Sequence, residues 1–237
     1  PEVHPRLSDF QTIDLSGKNK VSNTRKLIDS LKEILASFQP LTIHIPHDAP
    51  MSVKLAETKL HSFKADEREE AIESLASIES HFAEDVLISA LKNSLYPDVR
   101  QLSAQKLGKN GSKKAIPMLI ESVKDINEDV CISAVEALIM IDGEAVVPGL
   151  IHALQNQNQD IRRKSIEALG KIGSIEAIPS LIKALNDKDN NFSDSVATVL
   201  EKFGEKALYE LILAFQDKSN SDQVRQLVAR TLGNIGS

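Results

Sequence analysis

DIRRKSIEALGKIG, running from Asp160 to Gly173, decides the fold. Ile161, Ser165, Leu169 and Ile172 recur at i, i+4, i+8 and i+11, with Ile166 and Ala168 beside them, so one apolar stripe runs along about three turns of helix. Arg162, Arg163, Glu167 and Lys171 are expected on the opposite side, in water. Asp160 is placed to accept from the free amides of the first turn, and Gly173 to end the last turn in a left-handed conformation.

The same pattern recurs on both sides of the stretch. Taking the leucine before the glycine as a ruler gives Leu107, Leu138, Leu169, Leu200 and Leu232, in steps of 31, 31, 31 and 32, with Leu75 another 32 residues upstream. The first apolar position, Val99, Val130, Ile161, Phe192 and Val224, keeps the same steps. A second apolar segment precedes each unit: AIPMLIESV from Ala115, VVPGLIHAL from Val146, AIPSLIKAL from Ala177 and ALYELILAF from Ala207. Pro117, Pro148 and Pro179 share one column near the start of these segments, where a missing amide hydrogen costs a helix least. A two-helix unit of this length cannot bury its own apolar face, so neighbours must stack and share a continuous core.

The residues AIPxLIxAL, then DxxVR or DIR, then ALGxIG resemble the short HEAT-like repeats of the phycobilisome-lyase type over roughly residues 52–237. The resemblance implies an all-α solenoid of about six two-helix repeats. It also implies a range of functions, from scaffolds and chaperone-like adaptors to bilin-attachment proteins and a few enzymes.

Composition agrees with stacked helices. Hydrophobic residues make up 41% of the 237 positions, but aromatics only 4%, with no tryptophan, so Leu, Ile, Val and Ala must do the packing. The net charge of −6 argues against general affinity for nucleic acid or anionic lipid. Cys131 is the one cysteine, which excludes an intramolecular disulfide and a multi-cysteine metal site. No stretch of about 18 uncharged apolar residues occurs and no signal peptide is visible, so no membrane span is expected and the cytoplasm is the expected compartment. The first residue is Pro1, not Met, which leaves room for an earlier segment that has been removed.

In chain order, residues 1–50 read as an N-terminal extension. It is loop-like up to residue 20 and carries an amphipathic capping helix over 22–38, built from Leu27, Ile28, Leu31, Ile34, Leu35 and Phe38. LTIHI, from Leu41, is a connector or a short strand. The array occupies 51–237, with repeats at about 51–81, 82–114, 115–144, 145–176, 177–206 and 207–237. The first is degenerate, with Leu55 and Leu60 expected to serve its first helix. The last ends at its own glycine turn, so its outer face is expected to be open, to end-to-end self-association or to a partner. Its inter-helix loop, DKSNSDQ, is two residues longer than the others.

Arg68, Arg100, Arg162 and Arg225 follow the first apolar position, near Asp98, Asp129 and Asp160. They read as a ladder tying neighbouring repeats, and second as an anion groove, with Cys131 and Ser193 breaking the column. The outward line of the second helices is the expected concave binding surface, where Ile132 and Met140 are apolar between polar neighbours. The candidate partner-binding residues are Leu102, Ile132, Glu136, Met140, Arg163, Glu167 and Lys171. No catalytic, cofactor or metal residues are expected. The six histidines lack ligand spacing and the LGKNG, LGKIG and LGNIG segments are repeated helix ends, not phosphate loops. Cys131 lies near a helix start, which could favour a thiolate, or is simply a small residue between helices.

The expected function is a non-catalytic scaffold or adaptor that binds another protein. The alternatives are a phycobilin lyase or bilin-handling chaperone, and a regulatory segment of a larger protein.

Overall fold

The computed structural model describes residue 45 and residues 47–236. The capping helix expected over 22–38 lies outside the described residues. Within them, first and second helices alternate: α1 Met51–Lys59, α2 Ala65–Ser77, α3 His81–Asn93, α4 Pro97–Lys109, α5 Ile116–Ser122 and α6 Glu128–Ile141. The series continues with α7 Val147–Ala153, α8 Gln159–Ile172, α9 Ile178–Ala184, α10 Asn190–Phe203, α11 Glu205–Gln216 and α12 Asp222–Ile235. No strand occurs among the described residues. The even-numbered helices pack on one another in sequence, α2 on α4 through α10 on α12, and form one layer; the odd-numbered helices form the second. This is an all-α solenoid of stacked hairpins.

The ruler residues explain the stacking. Leu75, Leu107, Leu138, Leu169 and Leu200 are all at most 1% exposed. Each is worth roughly 1.5–3 kcal/mol relative to an exposed side chain. Leu232 departs from the column and is only half-buried, because no later repeat covers it among the described residues; Val228 and Thr231 point inward there instead. The first repeat also differs from expectation. Leu60 is buried but Leu55 is 60% exposed, and Val53 and Ala56 fill its place.

The close approach of α4 to α6 requires a glycine. A Cβ at Gly108 would stand 2.5 Å from the Ala137 Cα, a distance that only backbone movement could relieve. On the first-helix layer, Ile120 covers Gly149 of the next repeat, where an added Cβ would meet its Cγ1 at 2.9 Å. Ile212 occupies the equivalent position in the last repeat and is 45% exposed, next to Tyr209, Leu213 and Phe215 on the same helix.

The helix ends are mostly as the sequence implies. Pro117, Pro148 and Pro179 sit in the first turn of α5, α7 and α9. Gly173 closes α8 at φ 68° and ψ 22°, its amide donating to the Leu169 carbonyl. The N-cap of α8 is Asn158, not Asp160. Its Oδ1 accepts from the amides of Asp160 (2.8 Å) and Ile161 (3.4 Å), because the helix starts two residues earlier than the apolar stripe suggests.

The arginine ladder exists at three of its four positions: Asp98 is one of its acids as expected, Asp125 and Asp187 replace Asp129 and Asp160, and Arg225 instead approaches Asp222 on its own helix. Arg68 pairs with Asp98, Arg100 with Asp125 and Arg162 with Asp187, each reaching into the following repeat. Asp129 and Asp160 are exposed on the first turn of their helices and take no part. Arg162 is therefore not on the water-facing side of α8. Its guanidinium also lies 5.0 Å from the centre of the Phe192 ring.

Candidate partner-binding face

The surface of the second-helix layer is set by how each helix begins. Asn127, Asn158 and Asp189 cap α6, α8 and α10 from equivalent positions. This common start puts Ile132 and Glu136, Arg163 and Glu167, and Asp194 and Thr198 on one face, in register.

Two clefts open on that face, one on each side of α8. The first lies between α6 and α8 and is lined by Ile132, Val135, Asn158, Arg163 and Glu167, among others. The second lies between α8 and α10, with Arg163, Ile166, Glu167, Thr198, Val199 and Lys202. Arg163 and Glu167 thus belong to both. Their floors are aliphatic and their rims are charged.

The candidate residues do not all meet here. Ile132, Arg163 and Glu167 come together. Glu136 is engaged by Lys164 across the α6–α8 boundary, Nζ to Oε1 2.5 Å, and so acts as a tie between repeats. Met140 is 55% exposed but outside both clefts, as are the exposed Lys171 and the half-buried Leu102. Val135, Ile166 and Val199 were not expected as lining. Read on a single helix they belong to the core stripe, and only the gap between two helices brings their edges to the surface.

The hydroxyls of Ser195 and Thr198 donate back to the carbonyls of Asn191 (2.8 Å) and Asp194 (3.0 Å) on their own helix. Arg163 forms a loose ion pair with Asp189 at 3.9 Å, longer than a hydrogen bond, and its side chain is 45% exposed. Cys131 is buried, and burial pushes its thiol up from the usual range, with the nearby Asp125 carboxylate adding to the shift. Its Sγ donates to the Asp125 carbonyl at 2.9 Å, a bond that only the neutral thiol can make. Among the described residues no group of three His, Cys, Asp or Glu side chains is arranged to hold a metal ion. No described helix is long and apolar enough to cross a membrane.

The family model for HEAT repeats matches three overlapping stretches, residues 54–139, 84–164 and 124–197. The chain belongs to the HEAT-repeat family. No curated protein matches this HEAT-repeat chain in sequence. Among solved structures, an engineered protein is 21% identical, covering 78% of this chain and 96% of that one, with a TM-score of 0.50. The CpcE–CpcF complex of phycocyanin lyase from Nostoc sp. PCC7120 is 25% identical, covering 81% and 80%, with a TM-score of 0.49. A designed armadillo repeat protein in complex with the peptide (KR)4 is 18% identical, covering 78% and 100%, with a TM-score of 0.45. The likeness to the engineered protein is one of fold.

Proposed function

We propose that this HEAT-repeat chain is a non-catalytic adaptor that holds another protein on the second-helix face, centred on α8. The observation that carries the reading is that two neighbouring clefts share Arg163 and Glu167. A partner segment crossing α8 would meet aliphatic floor, a cation and an anion within one continuous track. Committed hydroxyls and a buried thiol favour binding over turnover. A protein partner suits the mixed charges better than nucleic acid does.

The test is capture from native lysate with the wild-type chain and with an Ile132→Asp, Arg163→Glu double variant. A protein retained by the first and lost by the second, at unchanged helix content, supports the reading; undiminished retention removes this face. Mixing the chain with a phycobilin tests the bilin-handling alternative, and an absorbance shift on mixing would move the assignment there.

A further inference from the structure

The loops joining first to second helix share one construction in five successive repeats. The side chains of Ser62, Ser94, Asp125, Asn156 and Asp187 each accept from the amide two residues on, at 2.9–3.2 Å. The carbonyls of the same residues accept from the side chain six residues on: Arg68, Arg100, Cys131, Arg162 and Ser193. The residue between these fixed points is held outward. In the first three loops it is Phe63, Leu95 and Ile126, exposed by 92%, 66% and 94%. In the next two it is Gln157 and Lys188.

A single exposed apolar residue is ordinary. Three large ones, at one position of three consecutive repeats and on rigid loops, make a row. Stacked helices lie about 8–10 Å apart, and seven residues of α-helix advance about 10.5 Å. Loop tips that follow such stacking recur at a spacing close to the pitch of a heptad stripe. Its flanks carry opposite charge. Asp66 and Asp129 lie on the second-helix side and Lys92 and Lys124 on the first-helix side, all exposed and without an ion pair among the described residues.

We propose that this loop edge docks an amphipathic α-helix of a partner protein. Apolar residues seven apart sit over Phe63, Leu95 and Ile126, basic residues face the aspartates and acidic residues face the lysines, as in the charged margins of a coiled-coil seam. The two aspartates and two lysines beside the row cancel, so it lacks the net positive charge that would draw it to an anionic bilayer. None of these residues lies in the α8 clefts, so the proposal stands apart from the adaptor face.

The probe is a labelled synthetic peptide of three heptads with leucine at the seam positions, lysine on one flank and glutamate on the other, titrated against the whole chain by fluorescence anisotropy. Saturable binding is expected. Phe63→Ser and Ile126→Ser should each weaken it about tenfold or more, as for anchor residues. The Phe63→Ser, Leu95→Ser, Ile126→Ser triple variant should abolish it, and the Ile132→Asp, Arg163→Glu variant should bind as wild type. The tips are exposed, so these serine variants should keep wild-type helix content. Absence of saturable binding, or undiminished affinity in the triple variant, would overturn the proposal. So would co-sedimentation of the chain with phosphatidylglycerol vesicles that depends on the same three residues.

Discussion

Arg100 of α4 holds Asp125 of the next repeat by two bonds, Nε to Oδ2 at 2.7 Å and Nη2 to Oδ1 at 2.8 Å, while its third arm donates to the Ser94 carbonyl at 2.8 Å. One side chain thus joins its own loop to the following one. Both partners are largely buried, so the bonds are charge-assisted and poorly screened.

Burial alone would raise the Asp125 carboxyl, but the Arg100 bonds, the Asn127 amide and the Arg100 charge together bring it below the ordinary carboxylate value. A group depressed on folding stabilises the native state above its unfolded pKa and loses that contribution as pH falls through the folded one. Asp125→Asn retains the acceptor for the Asn127 amide, as Asn156 does in the next repeat. The variant should lose about 1–3 kcal/mol near pH 7. The difference from wild type should shrink as pH drops below about 4. Urea denaturation at several pH values measures it, and a pH-independent gap would refute the ionic origin.

Gly108, Gly170 and Gly233 occupy one column of the repeat, yet only the first two are crowded. A Cβ meets the Ala137 backbone at 2.5 Å from Gly108 and Val199 Cγ1 at 3.0 Å from Gly170, but nothing within 4 Å from Gly233. Gly108→Ala should cost about 1–3 kcal/mol by overpacking. Gly233→Ala in this chain should gain up to about 1 kcal/mol from helix propensity. Thermal unfolding of the pair tests this, and effects of the same sign would count against it.

Asp142 stands in the column of Gly111, Gly173 and Gly204 but with φ 56° and ψ 169°, a region that suits glycine. Its Oδ1 accepts from the Gly143 amide at 2.8 Å, which compensates in part. Asp142→Gly should stabilise the chain by about 1 kcal/mol, read as a higher denaturation midpoint with unchanged m-value.

Cys131 should react slowly with a thiol reagent at pH 8 in the native state and quickly in denaturant, since its raised thiol is buried and bonded. Cys131→Ser should be close to neutral, because Ser193 makes the equivalent bond to the Asp187 carbonyl at 3.3 Å. Cys131→Ala should cost about 1 kcal/mol. Fast native labelling would disprove this account of the site.

Register was readable because every repeat writes the same leucine at the same interval, and three successive repeats add the same proline. The ladder was half readable. Arg100 and Arg162 stood out, but their partners lie 25 residues ahead, beyond the nearby aspartates that a linear reading offers. The clefts were less readable still. Ile132, Arg163 and Glu167 could be placed on a face, but that Val135, Ile166 and Val199 open beside them depends on the separation of neighbouring helices. The row at Phe63, Leu95 and Ile126 is present in the column of loop residues, yet apolar periodicity does not mark it, because those positions lie outside any helix.

By itself the sequence determined the kind of element and the order of stacking, because helical periodicity and end-capping are local and every unit repeats them. The tertiary structure decided which charges pair, which glycines are required and which apolar residues stay exposed. Each of those depends on what the neighbouring repeat brings within a few ångströms, and no single unit encodes that distance.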